Sequence, residues 1–186
     1  TASVNALGYR TTYTHDARGQ TIAVTNARSY LSTTGYDSAG NTQASVDALG
    51  NRTSYSYDAD GRTVAVMNAL GFSVTTVYNA SSQVVASVNQ LGHRTTLSYD
   101  AAGHRVAIMN ALGSISTSVF DAAGQTVASV TPLGNRWTTI YDAAGQAIGR
   151  MNPLGNISST VLDAAGRVAA SVNPLGYRTT PTYDVA

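Results

Sequence analysis

The 186 residues include no cysteine, no lysine and no glutamate. Without cysteine there is no disulfide and no thiolate metal site, a usage compatible with an extracellular protein. Lysine and glutamate are among the stronger helix formers, so their absence weakens any helical reading. All side-chain charge rests on 11 arginines and 10 aspartates, which leave a formal net charge of +1. The arginines are spread along the chain. Phosphate binding needs clustered basic residues, so no nucleic-acid partner is expected. No apolar run is long enough to cross a membrane as a helix, and no signal peptide is visible, so no membrane insertion is expected in this segment.

What fills the chain instead is threonine, serine, valine, tyrosine, alanine and glycine. Valine, threonine and tyrosine suit the pleated surface of a sheet, and glycine marks turns. A charged fraction of only 11% with many small polar residues could suggest disorder. The strict alternation of valine and tyrosine with serine and threonine argues the other way.

One aspartate column recurs every 21 residues without insertion or deletion: Asp16, Asp37, Asp58, Asn79, Asp100, Asp121, Asp142, Asp163 and Asp184. A fixed period of this size marks a repeat architecture, in which each unit is too small to bury a core alone and must stack on its neighbours. Residues 1–186 read as a single array of about nine such units. The chain opens inside one repeat at Thr1 and closes inside another at Ala186, so it is expected to be a window cut from a longer array.

The unit from Asn51 to Gly71 shows the pattern. Thr53, Tyr55 and Tyr57 alternate with Arg52, Ser54 and Ser56, which is the period of a strand. Asp58-Ala59-Asp60-Gly61 then reads as a type I turn followed by a left-handed glycine, the corner of a hairpin with a G1 bulge. A second strand from Arg62 to Met67 ends at a corner of the same chemistry, Asn68-Ala69-Leu70-Gly71. Later units carry Pro132, Pro153 and Pro174 at the second corner position, where type I turns favour proline. Short strands joined by tight corners leave no room for crossover helices. The expected fold is all-β: a continuous antiparallel array of 21-residue hairpins, forming an extended or coiled sheet or a solenoid-like tube. Gly61, Gly103, Gly124, Gly145 and Gly166 close the aspartate corners. Ser29 and Ser82 stand where glycine is expected, so those two corners should be the most strained or irregular.

Other columns carry packing information. Seven residues after each corner aspartate stands Ala23, Ala44, Ala65, Ala86, Ala107, Ala128, Gly149 or Ala170, so only small side chains occur there. The residue just before the aspartate is aromatic in most units: Tyr36, Tyr57, Tyr78, Tyr99, Phe120, Tyr141 and Tyr183. This ladder reads first as cross-strand packing and second as a platform on which sugars could stack.

A longer period of 42 residues overlies the first. Arg10, Arg52, Arg94, Arg136 and Arg178 alternate with Leu31, Ser73, Ile115 and Ile157 at the equivalent positions. Second strands alternate too: Val66-Met67, Ile108-Met109 and Arg150-Met151 against Ser45-Val46, Ser87-Val88, Ser129-Val130 and Ser171-Val172. Two hairpins therefore form the true unit and occupy two environments. Val66 and Ile108 make both faces of their strands apolar, which suits burial on both sides. The arginine ladder either faces the corner aspartates or lies on a solvated face.

Tyr57-Asp58-Ala59-Asp60-Gly61-Arg62, with Tyr99-Asp100-Ala101-Ala102-Gly103 and Tyr141-Asp142-Ala143-Ala144-Gly145, resembles the YD repeat of the Rhs/YD-repeat family. The whole chain carries it. The resemblance implies β-hairpins joined side by side into a continuous sheet that spirals into a hollow shell. Family members include bacterial polymorphic toxins, toxin-enclosing subunits of insecticidal complexes, wall-associated proteins and the teneurin adhesion receptors. Two features depart from the pattern. The units here do not vary in length, and the self-cleaving C-terminal core has no match. Regularity of this kind suits an unbounded fibre or tube better than a closed shell.

No catalytic constellation is legible. There is no cysteine or lysine nucleophile, and the repeat serines have no matching histidine. His15, His93 and His104 share no ligand spacing. Each corner supplies one carboxylate already suited to its own backbone, so neither metal nor cofactor is expected. Three function classes follow: a non-enzymatic extracellular fibre, tube, sheath or surface stalk that self-associates; the shell or delivery scaffold of an Rhs-type polymorphic toxin; and an adhesin binding glycans through the aromatic ladder.

Overall fold

The computed structural model describes residues 1–182; Tyr183 and Asp184 lie outside them. The described residues contain eighteen strands and no helix. They fall into two compact units, Thr1–Arg94 and one beginning at Thr95. The first holds β1 (Ala2–Val4), β2 (Arg10–His15), β3 (Thr21–Thr25), β4 (Leu31–Tyr36), β5 (Thr42–Val46), β6 (Arg52–Tyr57), β7 (Thr63–Met67), β8 (Ser73–Tyr78) and β9 (Val84–Val88). Each pairs antiparallel with the next in chain order. The second unit repeats the arrangement with β10 (Arg94–Tyr99), β11 (Arg105–Met109), β12 (Ile115–Phe120), β13 (Thr126–Val130), β14 (Arg136–Tyr141), β15 (Ala147–Met151), β16 (Ile157–Leu162), β17 (Val168–Val172) and β18 (Arg178–Thr179). The fold is thus an all-β antiparallel hairpin array.

Every corner is closed in the same way. In the first aspartate corner the Gly19 amide donates to the Asp16 carbonyl at 3.1 Å, and the Asp16 amide donates to the Gln20 carbonyl at 3.0 Å. The fourth corner residue adopts positive φ, which costs an L side chain about 1–2 kcal/mol and glycine almost nothing. Gly61, for example, sits at φ 76°. Ser29 and Ser82 take the same conformation, at φ 63° and 61°, and are the non-glycine residues with positive φ among those described. Their corner hydrogen bonds are as regular as the rest, at 2.9 and 3.0 Å. The backbone is therefore strained there without being irregular.

The two kinds of hairpin differ in register. At each aspartate hairpin the pairing skips one residue just before the corner: Ser56 faces Ala65, but Tyr57 faces Thr63, which leaves Val64 without a partner of its own. The asparagine hairpins pair without a skip, as in Ala65 opposite Thr75 and Met67 opposite Ser73. A bulge of this kind bends the strand and re-aims a side chain.

Burial follows the 42-residue period, but in the class opposite to the one expected. The buried residues are Ala44, Ala86, Ala128 and Ala170, all in strands reading Ser-Val. Val66 and Ile108 are only half-buried, as are Ala65 and Ala107. The cross-strand partner differs between the two classes at most of these positions. Ala86, Ala128 and Ala170 stand opposite Val77, Val119 and Val161, and their exposure is 0–1%. Ala44 stands opposite Gly35 and keeps 7%. Ala65 and Ala107 face Ser56 and Ser98, which cover less apolar surface. At Gly149 the facing residue is Ile140, and a Cβ on Gly149 would lie 3.2 Å from the Ile140 Cδ1. At Ala86, Ala128, Ala170 and Gly149 one large and one small residue thus share the pair.

Candidate functional site: two corner rows and an aromatic ladder

An antiparallel meander sends alternate corners to opposite ends of its strands. Within each unit the aspartate corners line one edge and the asparagine corners line the other. The carboxylate of each aspartate folds back on its own turn. Asp142 Oδ1 accepts the amides of Ala144 and Gln146, both at 2.9 Å; Asp16, Asp37, Asp58, Asp121 and Asp163 repeat the pair. Asp100 accepts the His104 amide at 2.8 Å, and Asn79 accepts the amides of Ser81 and Gln83. Gly61, Gly103, Gly124, Gly145 and Gly166 hold the fourth position at φ between 76° and 90°. The asparagine corners use the same geometry: Asn152 Oδ1 accepts from Leu154 and Asn156, both at 3.0 Å.

The residue after the corner glycine was not singled out by sequence reasoning, and it joins one unit to the next. Gln20 Nε2 donates to the Gly40 carbonyl at 3.1 Å, and Gln125 Nε2 to that of Gly145 at 2.9 Å. Arg62 reaches Ser82 Oγ at 2.9 Å, binds Asp58 and Asp60, and lies 4.9 Å over the Tyr78 ring. His104 bonds Asp100 at 3.0 Å and stacks on Phe120 at 4.7 Å. A signal was present. This column reads Gln20, Asn41, Arg62, Gln83, His104, Gln125, Gln146 and Arg167, always a planar polar group. Such a group can both hydrogen-bond a corner and lie flat on a ring.

The aromatic ladder staples neighbouring hairpins. An asparagine corner closes one end of the seam between two hairpins and leaves the other end open. There the hydroxyls of Tyr36, Tyr57, Tyr78 and Tyr141 donate to the carbonyls of Thr21, Thr42, Thr63 and Thr126 at 2.8–3.3 Å. Tyr99 and Phe120 occupy the same position, half-buried like the others.

The arginine ladder does not meet the corner aspartates. Arg10, Arg52, Arg94, Arg136 and Arg178 are exposed, and none forms an ion pair among the described residues. Arg52 and Asp58 stand at opposite ends of one strand, roughly 20 Å apart at 3.3 Å per residue. Arg52 instead donates to Ser54 Oγ at 3.2 Å. The carboxylate partners are local: Arg62 for Asp58, Arg167 for Asp163 and His104 for Asp100.

These contacts hold several carboxyls below their ordinary value. Asp37 and Asp47 are lowered first by the side-chain amides of Asn41 and Asn51. Asp163 is lowered by the Arg167 amide and guanidinium. For Asp58 and Asp100 partial desolvation pulls upward, but the bonds from Arg62 and His104 outweigh it. A depressed folded-state value means that the unfolded chain takes up protons first. The stabilisation is complete above the ordinary carboxyl value of 3.8 and is lost as the pH falls below it. Urea midpoints should be level down to about pH 5 and drop below about pH 4; a midpoint that rises on acidification would refute the assignment.

No group of three or more metal-ligating side chains is present among the described residues. A groove of about 450 Å³ on the second unit is lined by Thr139, Ser158, Ser171, Arg150 and Tyr177 among others, without a paired acid and base.

The model of the RHS repeat matches residues 36–75, 78–115 and 120–158. The chain belongs to the RHS repeat family. A search of curated proteins gave no match. Among solved structures, the RHS array is similar to a chain of the Tc holotoxin pore of Photorhabdus luminescens, solved with a mutated TccC3. The TM-score is 0.57 and the identity 13%, over 88% of this chain and 12% of that one. A TcdB2–TccC3–TEV crystal structure matches at TM-score 0.36 and 12% identity, over 94% of this chain and 15% of that one. A porin-like protein from Bacteroides uniformis matches at 0.34 and 14%, over 96% and 91%. At these identities the likeness to the holotoxin chain is one of fold, and the RHS array spans about an eighth of that chain's length.

Proposed function

We propose that this RHS array is a non-catalytic structural module that builds an extended extracellular assembly: a fibre, tube, sheath or surface stalk. The observation that carries this reading is the consistency of the bonding. Recurrent corners, aromatic staples and corner-to-corner braces all serve to join one hairpin to the next. The corner side chains and most of the ladder tyrosine hydroxyls are engaged in the repeat itself, and units without length variation can propagate without limit. The engaged tyrosine hydroxyls support a packing role for the aromatic ladder over a glycan platform. Electron microscopy of the purified protein is expected to show filaments of uniform width; monodisperse monomers under all conditions would count against the reading.

The fold shared with a Tc holotoxin chain favours a second reading, the shell or delivery scaffold of an Rhs-type toxin. It predicts a self-cleaving core and a variable effector domain encoded downstream of Ala186. Sequencing the gene beyond that codon separates the two, since further uniform repeats without an effector support the fibre.

A further inference from the structure

The two edges of each unit differ more than the corner chemistry requires. Asparagine and aspartate cap their turns with the same two bonds at the same distances, 3.0 Å at Asn152 and 2.9 Å at Asp142. Turn formation therefore does not explain why one edge carries aspartate and the other asparagine. The asparagine edge presents a leucine at the third corner position: Leu7, Leu49, Leu70 and Leu91 on the first unit, Leu112, Leu133, Leu154 and Leu175 on the second. All are 75–90% exposed. Rows of exposed leucine on a soluble surface mark interaction sites.

Charge is divided in the same way. Arg10, Arg28, Arg52, Arg94, Arg136 and Arg178 stand in or beside asparagine-edge corners, where Asp47 is the single acidic residue. The opposite edge carries the corner aspartates and Asp60. Against these stand Arg18, Arg62, Arg105 and Arg167; Arg62 and Arg167 are already ion-paired to aspartates of that same edge, and Arg18 donates to the Ser38 carbonyl at 2.7 Å. Asp16, Asp121 and Asp142 form no ion pair among the described residues. The aspartate corners also expose small apolar residues, the alanine pairs Ala101-Ala102, Ala122-Ala123 and Ala143-Ala144.

We propose that the leucine–arginine edge of one copy docks on the aspartate–alanine edge of a second copy, with leucines on alanine corners and arginines beside aspartates. The proposal deepens the self-association reading and rests on it. Charge selects the pairing: leucine edge on leucine edge would oppose rows of arginine, and aspartate edge on aspartate edge would oppose rows of carboxylate. Pitch selects the partner. Corners on either edge recur every two strands, roughly 9.6 Å, so a second copy meets them corner for corner. A contact between unlike surfaces leaves one of each free, so assembly continues side by side.

Sedimentation velocity on the whole chain tests this at about 0.1 M and about 1 M NaCl, where the screening length falls from about 10 to about 3 Å. One variant combines Arg52→Glu, Arg94→Glu and Arg136→Glu. The other combines Ala101→Lys, Ala122→Lys and Ala143→Lys, at exposed positions that leave every corner cap intact. The native chain should associate at low salt and weaken roughly tenfold or more at high salt. Each variant alone should be monomeric, and an equimolar mixture of the two should associate again, because the reversed edges now match. Restoration in the mixture also shows that both variants are folded. Association unaffected by salt and by both variants would overturn the edge assignment and leave self-association through another surface. Monomers in every sample, mixture included, would overturn both. A monomeric native chain that co-sediments with vesicles of phosphatidylserine and phosphatidylcholine would assign the leucine–arginine edge to a membrane surface and overturn the proposal.

Discussion

Ala128→Leu is expected to destabilise the second unit by about 1–3 kcal/mol, the usual cost of forcing a larger side chain into a packed site. Ala128 is 1% exposed and stands between Val119 and Thr138 on the neighbouring strands. Space is tight there: the Thr138 hydroxyl is itself buried without a hydrogen-bond partner. A leucine could fit only by displacing Val119 or spreading the strands. The comparison is Ala107→Leu, at the same 21-residue position but in the other class. Ala107 is half-buried opposite Ser98 and Thr117, and its loss should stay under about 1 kcal/mol. Urea denaturation of both variants checks the contrast. Equal losses would mean that the two hairpin classes share one environment.

Removing a corner cap should cost nearly as much. Asp142→Ala takes away the acceptor of two backbone amides. A net loss of about 1–2 kcal/mol is expected, since water can partly re-solvate amides at an exposed corner. Asp142→Asn should be close to neutral, because Asn152 in the same hairpin array holds its corner with the same bonds. Thr131 gives an internal comparison: its hydroxyl accepts only the Asn135 amide, at 3.2 Å. Asparagine at Thr131 should therefore stabilise. Thermal denaturation of the three variants orders them; an Asp142→Asn loss equal to that of Asp142→Ala would show that charge, not the backbone bonds, holds the corner.

The hairpins were legible because corner chemistry and strand alternation repeat at the same spacing as the backbone geometry that needs them. The burial pattern was harder to read. The sequence shows that Val66 has apolar neighbours along its own strand, but register decides which residues stand beside it across the ladder. The skip at Tyr57 had no signature within one unit, since Val64 looks like any other strand residue. Of the two readings of the arginine ladder, the solvated face holds, and the sequence could have decided it. Arg52 and Asp58 are near in sequence but stand at opposite ends of a strand, so spacing along the chain could have excluded the contact. The Gln20-to-Arg167 column was visible as a planar polar series, yet those of its partners that lie in the following unit emerge only when hairpins lie side by side.

Fibre diffraction from ordered assemblies of the chain tests most directly the claim that this is a structural array whose unit is two hairpins. A strand spacing near 4.8 Å is expected, together with a repeat of roughly 19 Å for four strands. A repeat confined to roughly 9.6 Å, or one unrelated to the strand spacing, would contradict it.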